Sequence, residues 1–115
     1  MSRFLFEVSY TSESWATQVN THANVIDRIS PLVKKLHGTI DSVYYTFGDR
    51  DLVALVDFPT VEDAAAFSLA ATSGGAISSI RTTQLLTVDQ GMTAMKKADA
   101  VAGSYHAPTR SKAHA

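Results

Sequence analysis

The chain has 115 residues, 45% of them hydrophobic and 18% charged, which is enough for one domain with one core and too apolar for a disordered chain. Ten basic residues against eleven acidic leave a net charge of -1. No like-charge run extends beyond Lys34-Lys35 and Lys96-Lys97, so the electrostatic footprint of a nucleic-acid binder is missing. The absence of cysteine excludes disulfides, thiolate metal ligands and a cysteine nucleophile.

The opening MSRFLFEVSY lacks the apolar run of a secretory signal, and no apolar run approaches the ~20 residues that span a bilayer. A soluble cytoplasmic protein, most simply a bacterial one, is expected, without membrane or nucleic-acid partners. Residues 3–10 alternate, with Phe4, Phe6, Val8 and Tyr10 on one face and Arg3, Leu5, Glu7 and Ser9 on the other, which is a strand pattern. Residues 11–24 are polar around Trp15 and Val19 and suggest a short helix and a loop. A firmer helix follows over residues 24–37. Asn24 is its expected N-cap, Val25, Ile26, Ile29, Leu32, Val33 and Leu36 form its apolar stripe, and Gly38 ends it. Pro31 is expected to kink it or to loosen one turn.

Residues 39–47 and 51–58 read as two strands around a turn, and Pro59 stops the second. Thr60 caps an alanine-rich helix with Glu62 and Asp63 in its first turn, and Gly74-Gly75 terminates it. Residues 76–86 form a fourth strand. Thr87 and Gln90 then match a capping box that opens a last helix carrying Val88, Met92, Met95 and Ala102 on one side. The order predicts an α+β, ferredoxin-like βαββαβ domain over residues 1–103. It has a four-stranded antiparallel sheet, strands 1 and 3 central, helices on one face and an added C-terminal helix. Residues 104–115 are expected to form a mobile polar tail.

The third strand is apolar on both faces over Leu52, Val53, Ala54, Leu55 and Val56, although the helices cover one face only. A second copy of the sheet is the simplest cover, so a homodimer or larger symmetric oligomer is expected; the alternative cover is the last helix. The element order, YYTFGDRDLVALVDFP, AAAFSLAATSGGAISSIRTTQLLTVDQGM and the tail after a final helix resemble the GYD-domain family over about residues 3–105. That resemblance implies the dimeric α/β-barrel superfamily and supplies no reaction. Gly48 and Asp51 match the Gly-x-Tyr-Asp turn of the family's name, and Arg50 stands in the tyrosine place.

Strands 1 and 2 run parallel in this topology, so residues 10–15, residues 47–51 and Gly74-Gly75 gather at one end of the sheet. There Tyr10, Trp15 and Tyr45 are candidates to wall an apolar pocket, with Asp49 and Arg50 as polar ligand contacts. The plain structural reading makes Asp49, Arg50 and Asp51 turn residues, Asp51 bonding the turn backbone. His22 and Asp49 are the candidate proton carriers. Glu7, Asp57 and Arg81 form a further charged set, read either as an acid–base group or as a network fixing dimer register. No histidine pair or carboxylate cluster has metal-ligand spacing, and no cofactor-binding loop or nucleophile elbow is present. Three readings stay open: a binding module for a small, partly apolar ligand, a cofactor-independent oxygenase or isomerase acting on an organic acid or aromatic, and a structural assembly unit.

Overall fold

The computed structural model describes residues 1–108 of the chain; the end of the expected tail, with His114, lies outside the described residues. Four strands, β1 (Ser2–Tyr10), β2 (Thr39–Tyr45), β3 (Leu52–Phe58) and β4 (Ile77–Leu85), form one sheet in the order β2-β3-β1-β4 with antiparallel neighbours. The helices α1 (Ser12–Thr21), α2 (Val25–Lys35) and α3 (Val61–Ser73) lie between the strands in sequence. The α+β ferredoxin-like βαββαβ order is thus the observed one, with β1 and β3 central.

Contact density divides the chain into Met1–Leu85 and Leu86–Ala115. The second unit carries α4 (Val88–Val101) and a short 3-10 turn, Ala102–Ser104. Its capping box is complete: Thr87 N–H donates to Gln90 Oε1 at 2.8 Å and Gln90 N–H to Thr87 Oγ1 at 3.0 Å. Val88, Met92 and Met95 on this helix are exposed.

In the first unit the alternation of β1 and β3 puts Phe4, Phe6, Val8, Leu52, Ala54, Val56 and Phe58 into the core. Val33, Ala64 and Phe67 meet them from α2 and α3. Such burial stabilises by roughly 1.5–3 kcal/mol per large side chain. The rings interlock: Phe6 meets Phe67 at 4.9 Å and 68°, and Phe58 at 6.1 Å and 83°. No buried polar or charged residue occurs among the described ones.

Asn24 caps α2 by accepting from Ile26 N–H at 2.8 Å, and the helix continues through Pro31 to Lys35. It is closed not by glycine but by His37, whose φ of 59° is left-handed. Gly38 N–H bonds Val33 O at 2.9 Å and His37 N–H bonds Lys34 O at 3.0 Å, the paired bonds of a Schellman ending. Gly38 serves another need: a Cβ there would lie 2.7 Å from the Phe58 ring and 2.9 Å from Asp57 O.

The charged set expected from Glu7, Asp57 and Arg81 is divided differently. Arg3, not Glu7, is opposite Asp57 in register, and Arg3 Nε bonds Asp57 Oδ1 at 2.9 Å. Arg3 Nη2 also reaches Asp57 Oδ2 and Asp41 Oδ1, each at 3.1 Å. Glu7 faces Arg81 across β1 and β4, and the ion pairs among the described residues are those of Arg3 alone. Asp57 is not a buried carboxylate, since its side chain is 25% exposed. The Arg3 guanidinium bonded to it holds its carboxyl below the ordinary range, against a smaller opposing effect of burial.

Candidate functional site

The C-terminal ends of β1 and β2 do share one end of the sheet, and backbone bonds knit three segments together there. Thr11 N–H donates to Ala76 O at 3.0 Å, tying the start of α1 to the segment after Gly75. Asp51 N–H donates to Val8 O at 2.9 Å, and Tyr10 N–H donates to Asp51 Oδ2 at 2.8 Å. Asp51 therefore clips the β2–β3 turn onto β1: its side chain bonds the neighbouring strand, not its own turn. Thr46 closes the turn itself, donating its N–H to Asp51 O at 2.9 Å and its hydroxyl to Arg50 O.

Tyr10 and Tyr45 end strands whose alternation points them to the helix side, and Trp15 reaches them from the first turns of α1. Thr11 caps that helix by accepting from Ser14 N–H at 3.1 Å. The Tyr10 and Trp15 rings meet edge-on at 5.4 Å and 79°; Trp15 and Tyr45 lie 6.2 Å apart at 43°. Beside them opens a hollow of about 580 Å³ lined by Trp15, Tyr45, Thr46, Phe47, Gly48 and Asp51. Phe47 at its lip is fully exposed, at 105%. Tyr45 also borders a second hollow of about 320 Å³ with Ala23, Asn24, Val25, Ile26 and Val43.

The expected site residues are thus only partly brought together. Tyr10, Trp15 and Tyr45 form one aromatic cluster. Asp49 and Arg50 do not line the hollow; Arg50 Nη1 donates to Ser79 Oγ at 2.8 Å, and Ser79 lies in β4 next to core-facing Ile80, hence on the opposite sheet face. His22 is the left-handed C-cap of α1 (φ 55°), its N–H bonded to Gln18 O at 2.9 Å, and its ring is exposed. No group of His, Asp and Glu among the described residues has the arrangement to hold a metal ion.

Sequence reasoning missed Arg28. Its Nη2 donates to Tyr10 Oη at 3.2 Å and to Gln18 Oε1 at 3.3 Å, and its guanidinium carbon sits 5.9 Å from the centre of the Tyr10 ring. Gln18 is itself steadied by Ser14 Oγ at 3.2 Å. Burial raises the Tyr10 phenol pKa, and Arg28 opposes that shift, so the ring stays neutral at physiological pH. A cation in the first turn of α2 runs against the helix dipole, and that anomaly was the available signal.

The GYD domain matches residues 4–95, most of the chain. The chain belongs to the GYD domain family. Among solved structures this GYD domain is similar to MtbAldR (TM-score 0.55, 16% identity, 75% of this chain), of which it spans 53%. FFRP-DM1 gives a TM-score of 0.52 at 14% identity, with 75% of this chain and 100% of that one covered. TftG, a 5-chloro-2-hydroxyhydroquinone dehydrochlorinase from Burkholderia phenoliruptrix AC1100, solved with 2,5-dihydroxybenzoquinone, gives 0.53 at 14%, covering 76% and 96%. These likenesses carry the fold alone, the ferredoxin-like four-stranded arrangement. No curated protein is significantly similar. No helix among the described residues is long and apolar enough to cross a membrane.

Proposed function

We propose that this GYD domain binds a small, partly apolar ligand in the hollow between Trp15, Tyr45 and Phe47. The observation that carries this reading is the hollow itself: about 580 Å³ of space, lined by the rings of Trp15, Tyr45 and Phe47 and by Gly48 at its side. A side chain on Gly48 would meet nothing within 4 Å, so the site is open there. The lining favours binding over proton transfer. Its carboxylate, Asp51, already accepts from Tyr10 N–H at 2.8 Å, and His22 and Asp49 lie outside the lining.

Native mass spectrometry of protein purified from its own cells, before and after mild denaturation, tests this. A discrete extra mass that is released on denaturation and absent from a Trp15→Ala variant is expected. A retained mass unchanged in that variant would remove the hollow from the account.

The sheet face away from α2 and α3 supports a companion reading, self-association. Leu5, Val53 and Leu55 stand there half-exposed, with Leu5 directly opposite Leu55. Covering them with a second copy recovers apolar burial that one chain leaves incomplete. Leu55→Asp is expected to convert an oligomer to monomer in light scattering. A parent protein that is itself monomeric, or an unchanged variant mass, defeats the idea.

A further inference from the structure

We infer that the ligand is an aromatic carboxylate, its ring on Trp15 and Tyr45 and its carboxylate on Arg28; this rests on the hollow being the binding site. Arg28 is a cation held in place without a counterion. Tyr10 Oη and Gln18 Oε1 take one nitrogen of the guanidinium, at 3.2 and 3.3 Å. A guanidinium has five N–H donors in a fixed fork; with both bonds on Nη2, Nε–H and the two N–H groups of Nη1 remain, and Nη1 can take one oxygen of a carboxylate. Among the described residues no carboxylate lies within ion-pair distance of it, Asp27 on the same helical turn included.

The anchoring is unusual for an exposed arginine. Three elements hold it: α1 through Gln18, β1 through Tyr10 and α2 through its own backbone. That arrangement lowers the entropy lost when an anion is clasped. Position supports the same class. The ring contacts run from Arg28 over Tyr10 to Trp15, at 5.9 and 5.4 Å, and Trp15 lines the larger hollow. A second, smaller hollow shares Tyr45 with the first and is bordered by Asn24, Val25 and Ile26, the start of the helix that carries Arg28. A flat ring system seated on Trp15 and Tyr45 can therefore direct its acid group toward α2. Asp51 does not repel it strongly, because its carboxylate is turned onto the β1 backbone at 2.8 Å.

The test uses 2-naphthoate and its neutral isostere 2-naphthamide, titrated to millimolar concentration. The indole N–H signal of Trp15, the chain's single tryptophan, is followed in a proton–nitrogen correlation spectrum. Naphthoate is expected to bind at least about 10-fold more tightly than naphthamide, the size of one charge-assisted contact, with the gap narrowing at high salt. Arg28→Met is expected to bring naphthoate down to the naphthamide value and leave naphthamide unchanged, with Arg28→Lys intermediate. Equal affinities in the parent protein, or a preference that survives Arg28→Met, overturn the carboxylate inference and leave the hollow standing. No movement of the Trp15 signal with either compound overturns the hollow and the inference together.

Discussion

The two ends of this sheet each gather aromatic rings, and they treat them oppositely. At one end Phe4, Phe58 and Phe67 are buried to 5% exposure or less and are sealed by Gly38, where no Cβ fits. At the other end Tyr10, Trp15 and Tyr45 are partly exposed and stand beside a hollow of about 580 Å³. Phenylalanine has no polar edge, so its stable place is the dry interior. Tyrosine and tryptophan keep a donor for water or a ligand and tolerate the boundary. Ring chemistry thus separates a filled core from an open hollow within one fold.

The largest expected effect tests that separation directly. Phe58→Ala is expected to destabilise by about 3–5 kcal/mol in urea denaturation, through lost burial and a residual cavity. Tyr45→Ala, nearly half-exposed at 48%, is expected to cost less than about 1 kcal/mol while weakening any ligand of the hollow. Comparable losses at the two positions would show that the Tyr and Trp cluster is core after all.

A middle-sized effect sharpens the contrast from the polar side. Asp51→Ala leaves the part-buried Tyr10 N–H unpaired and is expected to cost about 1–3 kcal/mol, whereas Asp51→Asn keeps an acceptor and recovers much of it. If Ala and Asn behave alike, the clip between turn and strand is not what holds the open end in shape.

The alternation of β1 and β3, the cap at Asn24 and the Thr87–Gln90 box were legible because each is a local pattern with one outcome. The convergence of Tyr10, Trp15 and Tyr45 was legible from strand direction alone. Arg28 was not, because its role depends on α1 and α2 approaching over Tyr10, a distance that no spacing encodes. Arg50 stood in a family motif position and so looked like a contact, yet a single bond to Ser79 carries it to the opposite face. The Asp57 partner was missed for a similar reason: parity gives the face, but the pairing register decides between Arg3 and Glu7.

Acid should act at the filled end through that pair. The Asp57 carboxyl is depressed by Arg3, so its contribution is present above the unfolded value of about 3.9 and fades as pH falls through the lower folded value. The difference in urea midpoint between the parent and Asp57→Asn is expected to be constant from neutral pH to about 5 and to shrink below about 4. A gap that persists in stronger acid would assign it to packing and not to the carboxylate.

The smallest effect compares the two ends with one substitution. Each end carries a histidine in left-handed backbone, His22 at φ 55° closing α1 and His37 at φ 59° closing α2. A side chain there costs roughly 1–2 kcal/mol, which glycine avoids, although glycine adds about 0.5–1 kcal/mol of unfolded-state entropy. His22→Gly and His37→Gly are each expected to raise thermal stability slightly, by up to about 1 kcal/mol. The backbone at each position already makes its closing bond, His22 N–H to Gln18 O at 2.9 Å and His37 N–H to Lys34 O at 3.0 Å, so neither helix end needs the imidazole. If His22→Gly instead lowers stability or ligand affinity while His37→Gly behaves as expected, the His22 ring has a role at the open end beyond closing its helix.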